Sequence, residues 1–549
     1  MSVAARGPCD EAILRATEPS PCSRAAARWV LAATILGSSM AFIDATVVNV
    51  ALPVLQESLR ASVSSVQWVV EAYALFLSSL VLVGGSLADR FGRRRIFAIG
   101  VALFAAASAA CALAPGIGSL VAARAVQGVG AALVVPSSLA ILGSAFSSRE
   151  RGRAVGTWSS LTAVAGAIGP VAGGWLVGVA SWRAVFFLNL PIAAAVLVIT
   201  LRKVPETRNP SAGRLDLPGA LAATIGLAGL VYGLIEAPAA GWSHPRVWGS
   251  LAAAGIALAA FVLVEARSRH PMVPLDLFRI RVFAGTNLLT FFLYGALSAT
   301  FFLLPFALVQ AHGYSPAQAG AALLPLIVLI FALSRPAGAI ADRLGPRLPL
   351  TVGPAIAAIG FFLLAAPHAD TRYAAALLPA ISVLGLGMAM TVAPLTTTVL
   401  NAVPERDTGT ASGINNAVAR VAGLVAIAAF GVVASGVFDR ALDRRLSETG
   451  LAAIAPKITA SERHKLGAAQ APPDSGESER RGAQRAIAAA LVDSFRVSMK
   501  IAAGLALLSS ACALVLIPSR RGGAKKLPHV EDLRHASVNP GPGKVTGPD

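Results

Sequence analysis

Long uninterrupted runs of apolar residues recur along the whole chain and constrain its fold more than any other feature. Each run is about 20 residues long, the length that a helix needs to cross the hydrocarbon core of a bilayer. The runs are continuous rather than alternating, which predicts helices rather than the strands of a membrane barrel. Of the 549 residues, 55% are hydrophobic and only 13% are charged, well below the charge content of a soluble protein. The sequence therefore predicts an all-α integral membrane protein.

We count fourteen such spans, and the even number predicts that both termini lie on one side of the membrane. The spans are 29–51, 66–88, 96–114, 118–145, 154–178, 184–201, 217–237, 246–265, 282–310, 317–340, 348–366, 373–400, 410–437 and 494–517. The first run is too long for the apolar core of a signal peptide, so we expect it to be retained as a spanning helix.

The distribution of basic residues predicts the orientation. The net charge is +18, and the Lys and Arg residues of the short loops fall mainly on one side: 18 on the side of the termini against 4 on the other. This asymmetry follows the positive-inside rule and predicts cytoplasmic termini in a cell membrane. Because it also accounts for the basic balance, we expect no nucleic-acid partner. The four cysteines have no spacing typical of a metal site or a disulfide framework.

An internal repeat divides the spans into two sets. Residues 85–94 read GSLADRFGRR and residues 338–347 read GAIADRLGPR, so six of ten positions are identical at equivalent places between spans. A duplicated six-helix unit is therefore predicted, from spans 1–6 and 9–14, with spans 7 and 8 as an insert. Repeat-built membrane folds of this kind are typical of secondary transporters, whose substrate site lies between the halves near the midplane.

These patterns predict the following organisation along the chain: a cytoplasmic tail (1–28), an N-terminal six-helix bundle (29–202), a linker with two extra helices (203–266), five helices of a C-terminal bundle (267–437), a long polar extracytoplasmic loop (438–493), the last span (494–517) and a cytoplasmic tail (518–549). Within the extracytoplasmic loop, we expect residues 466–483 to be flexible.

Three polar or charged residues inside or beside spans are candidates for proton coupling. Asp44 lies past the middle of span 1 and is the only acidic residue that we place well inside a span. An unpaired carboxylate there would be neutral part of the time, as a proton carrier requires, although a helix-packing hydrogen bond is the plainer alternative. Arg124 lies about five residues inside span 4, where it either faces a partner or snorkels outward. Glu71 follows Trp68 at the start of span 2, so we expect it near the outer interface and better solvated.

Two further patterns have a mechanical interpretation. In the repeated loop, glycines allow helix ends to approach closely, and a carboxylate before span 3 can satisfy free N–H groups of that helix; the residues are Gly85, Asp89, Arg90, Gly92, Arg93, Asp342 and Arg343. In span 5, small residues along one face and a helix-bending proline favour close packing; the residues are Gly156, Gly169, Pro170, Gly173 and Gly174.

A cavity between the halves would need residues to bind a ligand. Asn49, Asn287, Phe291 and Arg420 are candidates, and Arg420 could instead pair with a carboxylate across the bundle. Buried amides more often tie helices together, and the aromatic side chain could equally face lipid.

Together, these motifs resemble the fourteen-helix drug:proton antiporter family of the major facilitator superfamily, from about residue 30 to 517. The resemblance implies two six-helix bundles with two inserted helices and export of lipophilic or cationic compounds in exchange for protons. It further implies that the repeated loop is a charge latch between the bundles, that Arg124 takes part in proton coupling, and that the span 5 pattern marks exporters. Ala165 stands where that family usually has glycine.

Other functions remain open at this point. A proton-coupled symporter that imports a metabolite, a receptor or scaffold that does not transport, and a channel would all suit a multi-helix membrane protein. No nucleotide-binding loop, hydrolase motif or metal-binding pattern occurs in the sequence, so we expect no enzyme activity and no cofactor. The expected partners are a small-molecule substrate, protons and the lipid bilayer, with no obligate protein partner.

Overall fold

The computed structural model describes residues 24–146, 148–208, 216–268, 271–366, 373–404, 408–472 and 474–519. Most of the two predicted tails, 1–28 and 518–549, lies outside these ranges. Every regular element in the described ranges is a helix, and fourteen of the helices there are long and apolar enough to cross a membrane. The prediction of an all-α protein with fourteen spans is confirmed.

We label the fourteen long helices α1–α14. Their bounds are α1 Arg24–Ser58, α2 Val63–Phe91, α3 Arg93–Ala112, α4 Ile117–Ala145, α5 Ser148–Val179, α6 Asn189–Lys203, α7 Leu217–Ala240, α8 Pro245–Arg267, α9 Arg281–Phe306, α10 Leu324–Leu344, α11 Arg347–Leu364, α12 Leu377–Asn401, α13 Thr408–Glu448 and α14 Glu477–Leu516. Short helices precede α6 (Ala184–Phe187) and α10 (Pro316–Ala321), and a π-turn (Ala307–Ala311) extends α9.

The two halves have the same internal packing. In the N-terminal bundle α2 and α3 pack on α4, α1 packs on α5 and α6, and α3 packs on α6. In the C-terminal bundle the equivalent pairs are formed by α10 and α11 with α12, α9 with α13 and α14, and α11 with α14. The sequence repeat therefore corresponds to a repeated six-helix unit.

The inserted helices lie at the junction of the two bundles. α7 and α8 form a hairpin, and α7 also packs on α2 of one bundle and on α13 of the other. Leu227, Val231 and Ile235 of α7 form a buried cluster with Leu75 of α2 and Leu424 of α13. The insert is therefore in contact with both halves rather than a peripheral addition.

Equivalent glycines end α2 and α10 at the repeated loops. Gly92 has φ 111° and donates its N–H to the carbonyl of Ala88 (3.1 Å), and Gly345 has φ 87° and donates to Ala341 (2.9 Å). These φ values strain any residue with a Cβ, so the turn requires glycine. We call this end of the molecule, which contains both repeated loops, the motif end.

The opposite end contains residues 449–476, and we call it the cap end. The prediction of a polar loop over 438–493 is wrong in its bounds, because α13 continues to Glu448 and α14 begins at Glu477. The predicted flexible part, 466–483, includes a buried 3-10 turn at Leu466–Ala468 and the first two turns of α14. Hydropathy detects only the apolar part of a helix, and these extensions are polar and Ala-rich.

The bundles meet at the cap end. Gln310 Nε2 after α9 donates to Gln56 Oε1 on α1 (2.9 Å), and Gln67 Nε2 on α2 donates to the carbonyl of Ile427 on α13 (3.0 Å). At the motif end, α10 has one buried side chain between Phe331 and Leu344, namely Ala337, and makes only slight contact with α5. The molecule is therefore closed at the cap end and open between α5 and α10 at the motif end.

Candidate functional site

A fully buried polar network lies within the N-terminal bundle, with Asp44 at its centre. Asp44 Oδ2 forms an ion pair with Nη1 of Arg124, and both side chains are at most 1% exposed. Asp44 Oδ1 accepts hydrogen bonds from Gln127 Nε2 (2.8 Å) and from Asn189 Nδ2 (3.0 Å). Three donors therefore bind this carboxylate, and one of them, Arg124, also supplies a full positive charge. The expectation that the carboxylate is unpaired is wrong.

Arg124 has further partners besides Asp44. Its Nη1 also donates to Gln127 Oε1 (2.7 Å), and its Nε donates to the backbone carbonyl of Val69 (2.9 Å). The guanidinium lies over the ring of Tyr73, 4.3 Å from the ring centre, a distance typical of a cation–π contact. Pairing with Asp44, rather than snorkelling, explains how this arginine is accommodated in a spanning helix.

The network connects five helices of the bundle, α1, α2, α3, α4 and α6. Ser108 on α3 accepts hydrogen bonds from Gln127 (2.8 Å) and Asn189 (3.3 Å). The sequence analysis did not single out Ser108, Gln127 or Asn189. The one available signal was a polar side chain within an apolar run, and that signal does not identify its partner.

Glu71 has the opposite environment. Its side chain is 0% exposed, and neither carboxylate oxygen has a hydrogen-bond partner among the described residues. Glu71 lies one turn from Gln67, which bonds to α13, and one turn from Leu75, which packs on α7 and α13. These i, i+4 positions share one helix face, so Glu71 faces the junction of the two bundles and the insert. The expectation of a solvated position near the interface is wrong.

The candidates for the cavity are used in different ways. Asn287 is 3% exposed, donates to the carbonyl of Phe283 (2.8 Å) and accepts from Asn415 (3.2 Å), so it ties α9 to α13. Asn49 donates weakly to the carbonyl of Ala45 (3.4 Å), and its buried Oδ1 has no partner among the described residues. Phe291 is half-buried and packs on Phe292, with 5.8 Å between ring centres.

Arg420 lies on α13 and spans the gap between the bundles. It is half-buried, and its guanidinium lies 5.7 Å from the ring centre of Phe42 on α1. No carboxylate lies within ion-pair distance of it in the described part of the chain. The alternative that it pairs with a carboxylate across the bundle is therefore not realised in this conformation.

The first repeated loop is held within its own bundle. Asp89 in the last turn of α2 binds Arg93, with 2.7 Å between Oδ1 and Nη2. The free N–H groups at the start of α3 are bound instead by Glu206, which accepts from Arg94 (3.1 Å) and Arg95 (3.0 Å). The expectation that the carboxylate of Asp89 caps α3 is wrong, because the segment after α6 brings Glu206 to that helix end.

The remaining residues of the two repeated loops make local contacts at the ends of α2 and α10. Arg90 lies over the ring of Phe91, 5.6 Å from its centre. A Cβ on Gly84 would meet the carbonyl of Ala132, whereas one on Gly85 would make an ordinary contact of 3.5 Å, so Gly84 provides the closer helix approach. Asp342 and Arg343 lie in the last turn of α10, as the repeat predicts; both make interactions there.

The small residues of α5 form two different contacts. Added Cβ atoms on Gly169 and Gly173 would meet Thr46 and Val47 of α1 in the same bundle. A Cβ on Gly174 would meet the carbonyl of Pro316, and Gly320 packs in the same way against the carbonyl of Pro170. Gly156 near the motif end has open space beside it. The predicted small-residue face therefore closes the two bundles together at the cap end.

Comparison with known proteins identifies the class. The model of the Major Facilitator Superfamily matches residues 34–427. The solved structures that resemble the chain include a bacterial homologue of the human lysosomal transporter Spinster (TM-score 0.60, 18% identity, 90% of this chain and 98% of that one). A peptide transporter of the POT type gives a TM-score of 0.59 at 15% identity, over 92% and 97% of the two chains. The chain belongs to the major facilitator superfamily and is a multi-pass membrane transport protein rather than an enzyme.

Curated relatives narrow the class further. The multidrug resistance protein Stp of Mycobacterium tuberculosis is 37% identical over 76% of this chain and 77% of its own length. The tetracenomycin C resistance and export protein of Streptomyces glaucescens is 32% identical over 88% and 90% of the two chains. The methylenomycin A resistance protein of Bacillus subtilis is 36% identical over 74% and 87%. The predicted resemblance to drug-efflux members of the superfamily is confirmed.

Proposed function

We propose that this protein exports drug-like compounds from the cytoplasm in exchange for protons, by alternating access between the two bundles. Three relatives are named for resistance to, or export of, multiple drugs, tetracenomycin C and methylenomycin A. The small-residue face of α5 supports the proposal, because Gly174 and Gly320 allow a tight contact that can open and close as a unit. The basic loops support an orientation with the motif end and both termini in the cytoplasm of a cell membrane and the cap end outside.

The observation that carries proton coupling is the environment of Glu71. Among the described residues, no donor hydrogen-bonds to Glu71 and no cation pairs with it. A charged carboxylate in such a dry interior is costly, so in this conformation the side chain is expected to carry a proton. Asp44 is a poorer candidate for the carrier, since Arg124 neutralises it and three donors bind it. We therefore move the coupling role that the sequence favoured for Asp44 to Glu71, with Asp44 and Arg124 holding the bundle together.

The location of Glu71 gives proton binding a way to act on the conformation. With a proton, Glu71 fits an apolar junction of α2, α7 and α13. Without one, the same junction would enclose an unpaired charge at a cost of several kcal/mol, and separating α2 from α13 would admit water to it. Proton loss to the cytoplasm would then favour release of the cap-end contact and outward opening, and proton uptake from outside would favour the return.

The test is gradient-driven transport by Glu71→Gln, which imitates the protonated acid. A resistance panel in an efflux-deficient host identifies a substrate, and accumulation of that compound in inverted membrane vesicles is then measured with and without an imposed pH gradient. For each proton exchanged, one pH unit supplies about 1.4 kcal/mol, or about tenfold accumulation. We expect Glu71→Gln to lose this gradient-dependent part and to retain exchange down the substrate gradient.

Glu265→Gln is the matched control. Glu265 is also a buried glutamate on a membrane helix, but it lies on α8 and accepts the N–H of Val273 (3.0 Å). The Glu265→Gln variant should transport normally. Full gradient-driven accumulation by Glu71→Gln would refute the coupling role, and uptake in the opposite direction by the wild-type protein would indicate an importer.

A further inference from the structure

The central gap between the bundles contains the guanidinium of Arg420, and no carboxylate of the described residues lies within ion-pair distance of it. Arg420 follows the start of α13 by about three turns and faces Phe42, which lies at the middle of α1. Its position is therefore close to the midplane and between the two repeats, where transporters of this architecture bind their substrates. An ionisable group at that depth is expensive and is normally paired or faces a water-filled cavity.

The two buried acidic residues of the N-terminal bundle, among the described residues, do not compensate Arg420. Asp44 is already neutralised by Arg124 inside the N-terminal bundle. Glu71 lies toward the cap end of Arg420, since Leu75, one turn from Glu71, packs on Leu424, one turn beyond Arg420. With Glu71 carrying a proton, as proposed above, neither of these acidic residues supplies a counter-charge to Arg420.

The groups around Arg420 define which kind of ligand it could bind. Asn416 lies one turn closer to the motif end on the same helix face and is exposed; its Nδ2 donates to the carbonyl of Ser412 (3.0 Å), which leaves its amide oxygen to accept a bond from a ligand. Phe42 presents an aromatic ring on the opposite bundle. A guanidinium binds carboxylates through two parallel hydrogen bonds, and the ring suits an apolar skeleton.

We infer that Arg420 is the anion-binding residue of the substrate cavity and that lipophilic organic acids are a preferred substrate class. This inference rests on the proposed export function and names the substrate chemistry of the same site. This substrate class differs from the lipophilic or cationic compounds that the family resemblance implies, because Asp44 is paired with Arg124 and is not a free carboxylate for a cationic ligand.

The experiment compares three fluorescent probes that share one ring system: dansylglycine, its methyl ester and dansyl-ethylenediamine. These carry a negative charge, no charge and a positive charge. Binding is measured on purified full-length protein in lipid nanodiscs, and transport in inverted vesicles, for the wild-type protein, Arg420→Gln and Arg420→Lys. Arg440→Gln is the matched control, because Arg440 lies on the same helix near the cap end, is exposed, and bonds to the carbonyl of Gly436 (2.8 Å).

The wild-type protein should bind the acid more tightly than the ester. A charge-assisted hydrogen-bonded pair is worth about a 10- to 100-fold difference in affinity, so Arg420→Gln should weaken dansylglycine by that factor and change the ester less than about twofold. Arg420→Lys should retain an intermediate preference, Arg420→Gln should improve binding of the amine, and Arg440→Gln should behave as wild type.

Two results would overturn the inference: a wild-type protein that does not prefer the acid, or an Arg420→Gln protein in which acid and ester lose affinity equally, as expected for a structural arginine. These outcomes are distinct from failure of the proposed function. A protein that binds the acid selectively without moving any probe would retain the anion site and refute export, whereas transport of the ester with no charge selectivity would retain export and refute the anion site.

Discussion

Replacing Asp44 by Asn tests whether the buried network is a structural unit. The substitution removes the charge that compensates Arg124, which is 1% exposed, and turns one carboxylate oxygen toward its surroundings as an NH₂ group. Gln127 and Asn189 donate to Asp44 Oδ1 and Arg124 donates to Oδ2, so at least one of these three donors loses its acceptor whichever oxygen becomes the NH₂ group. Breaking a buried ion pair by removing one partner costs about 3–5 kcal/mol, and we expect a loss of stability of this size.

The reverse substitution, Arg124→Gln, should behave differently with pH. It leaves a buried carboxylate that can escape its charge by taking up a proton, whereas an arginine cannot lose its charge. For an ordinary carboxyl group in water, with a pKa of about 3.9, protonation costs about 4 kcal/mol at pH 7 and about 1.5 kcal/mol at pH 5. Arg124→Gln should therefore regain stability between pH 7 and pH 5, and Asp44→Asn should not.

The assay is thermal unfolding of the purified protein in detergent, with the double variant Asp44→Asn/Arg124→Gln completing the cycle. Because the double variant contains no unpaired charge, its loss of stability should be much smaller than the sum of the losses of the two single variants. Asp276→Asn is the control, since the ion pair of Asp276 with Arg279 is almost fully exposed and should contribute nothing measurable. Strict additivity of the two single losses would refute the pairing argument.

The double variant also separates structure from coupling. Glu71 is unchanged in it, so gradient-driven transport should survive wherever the protein remains folded. A stable double variant that exchanges substrate but cannot use a pH gradient would return the coupling role to Asp44.

Two further predictions concern the repeated loop and the orientation. Asp89→Asn breaks the ion pair with Arg93 while leaving the Glu206 contacts to α3 intact, so it should insert at normal abundance and transport poorly if the loop acts as a latch; normal vesicle transport would reduce the motif to a topology signal. In a background without the native cysteines, Ser475→Cys at the cap end should react with a membrane-impermeant maleimide added to intact cells, and Arg95→Cys at the motif end should not; the reverse pattern would invert the proposed orientation.

The sequence was sufficient for the architecture because its determinants are local or repetitive. Apolar runs of spanning length predict helices whatever their neighbours, and the repeat at 85–94 and 338–347 predicts two equivalent units. The exceptions are the polar ends of α13 and α14, which extend beyond the lipid and so leave no hydropathy signal. The contacts of the insert with α2 and α13 were also beyond reach, since helix order along the chain does not specify which helices become neighbours.

The tertiary structure decided which charges are paired, and with that the interpretation of the site. Asp44 lies 80 positions before Arg124 and 145 positions before Asn189. Only the rotation and packing of α1, α4 and α6 bring these side chains together. Glu71 looked interfacial because it lies near the start of an apolar run, yet the packing of α7 and α13 on the same face of α2 removes it from water. A sequence places a charge at a depth in the membrane, but whether that charge is neutralised, buried alone or open to a ligand depends on the helices packed around it.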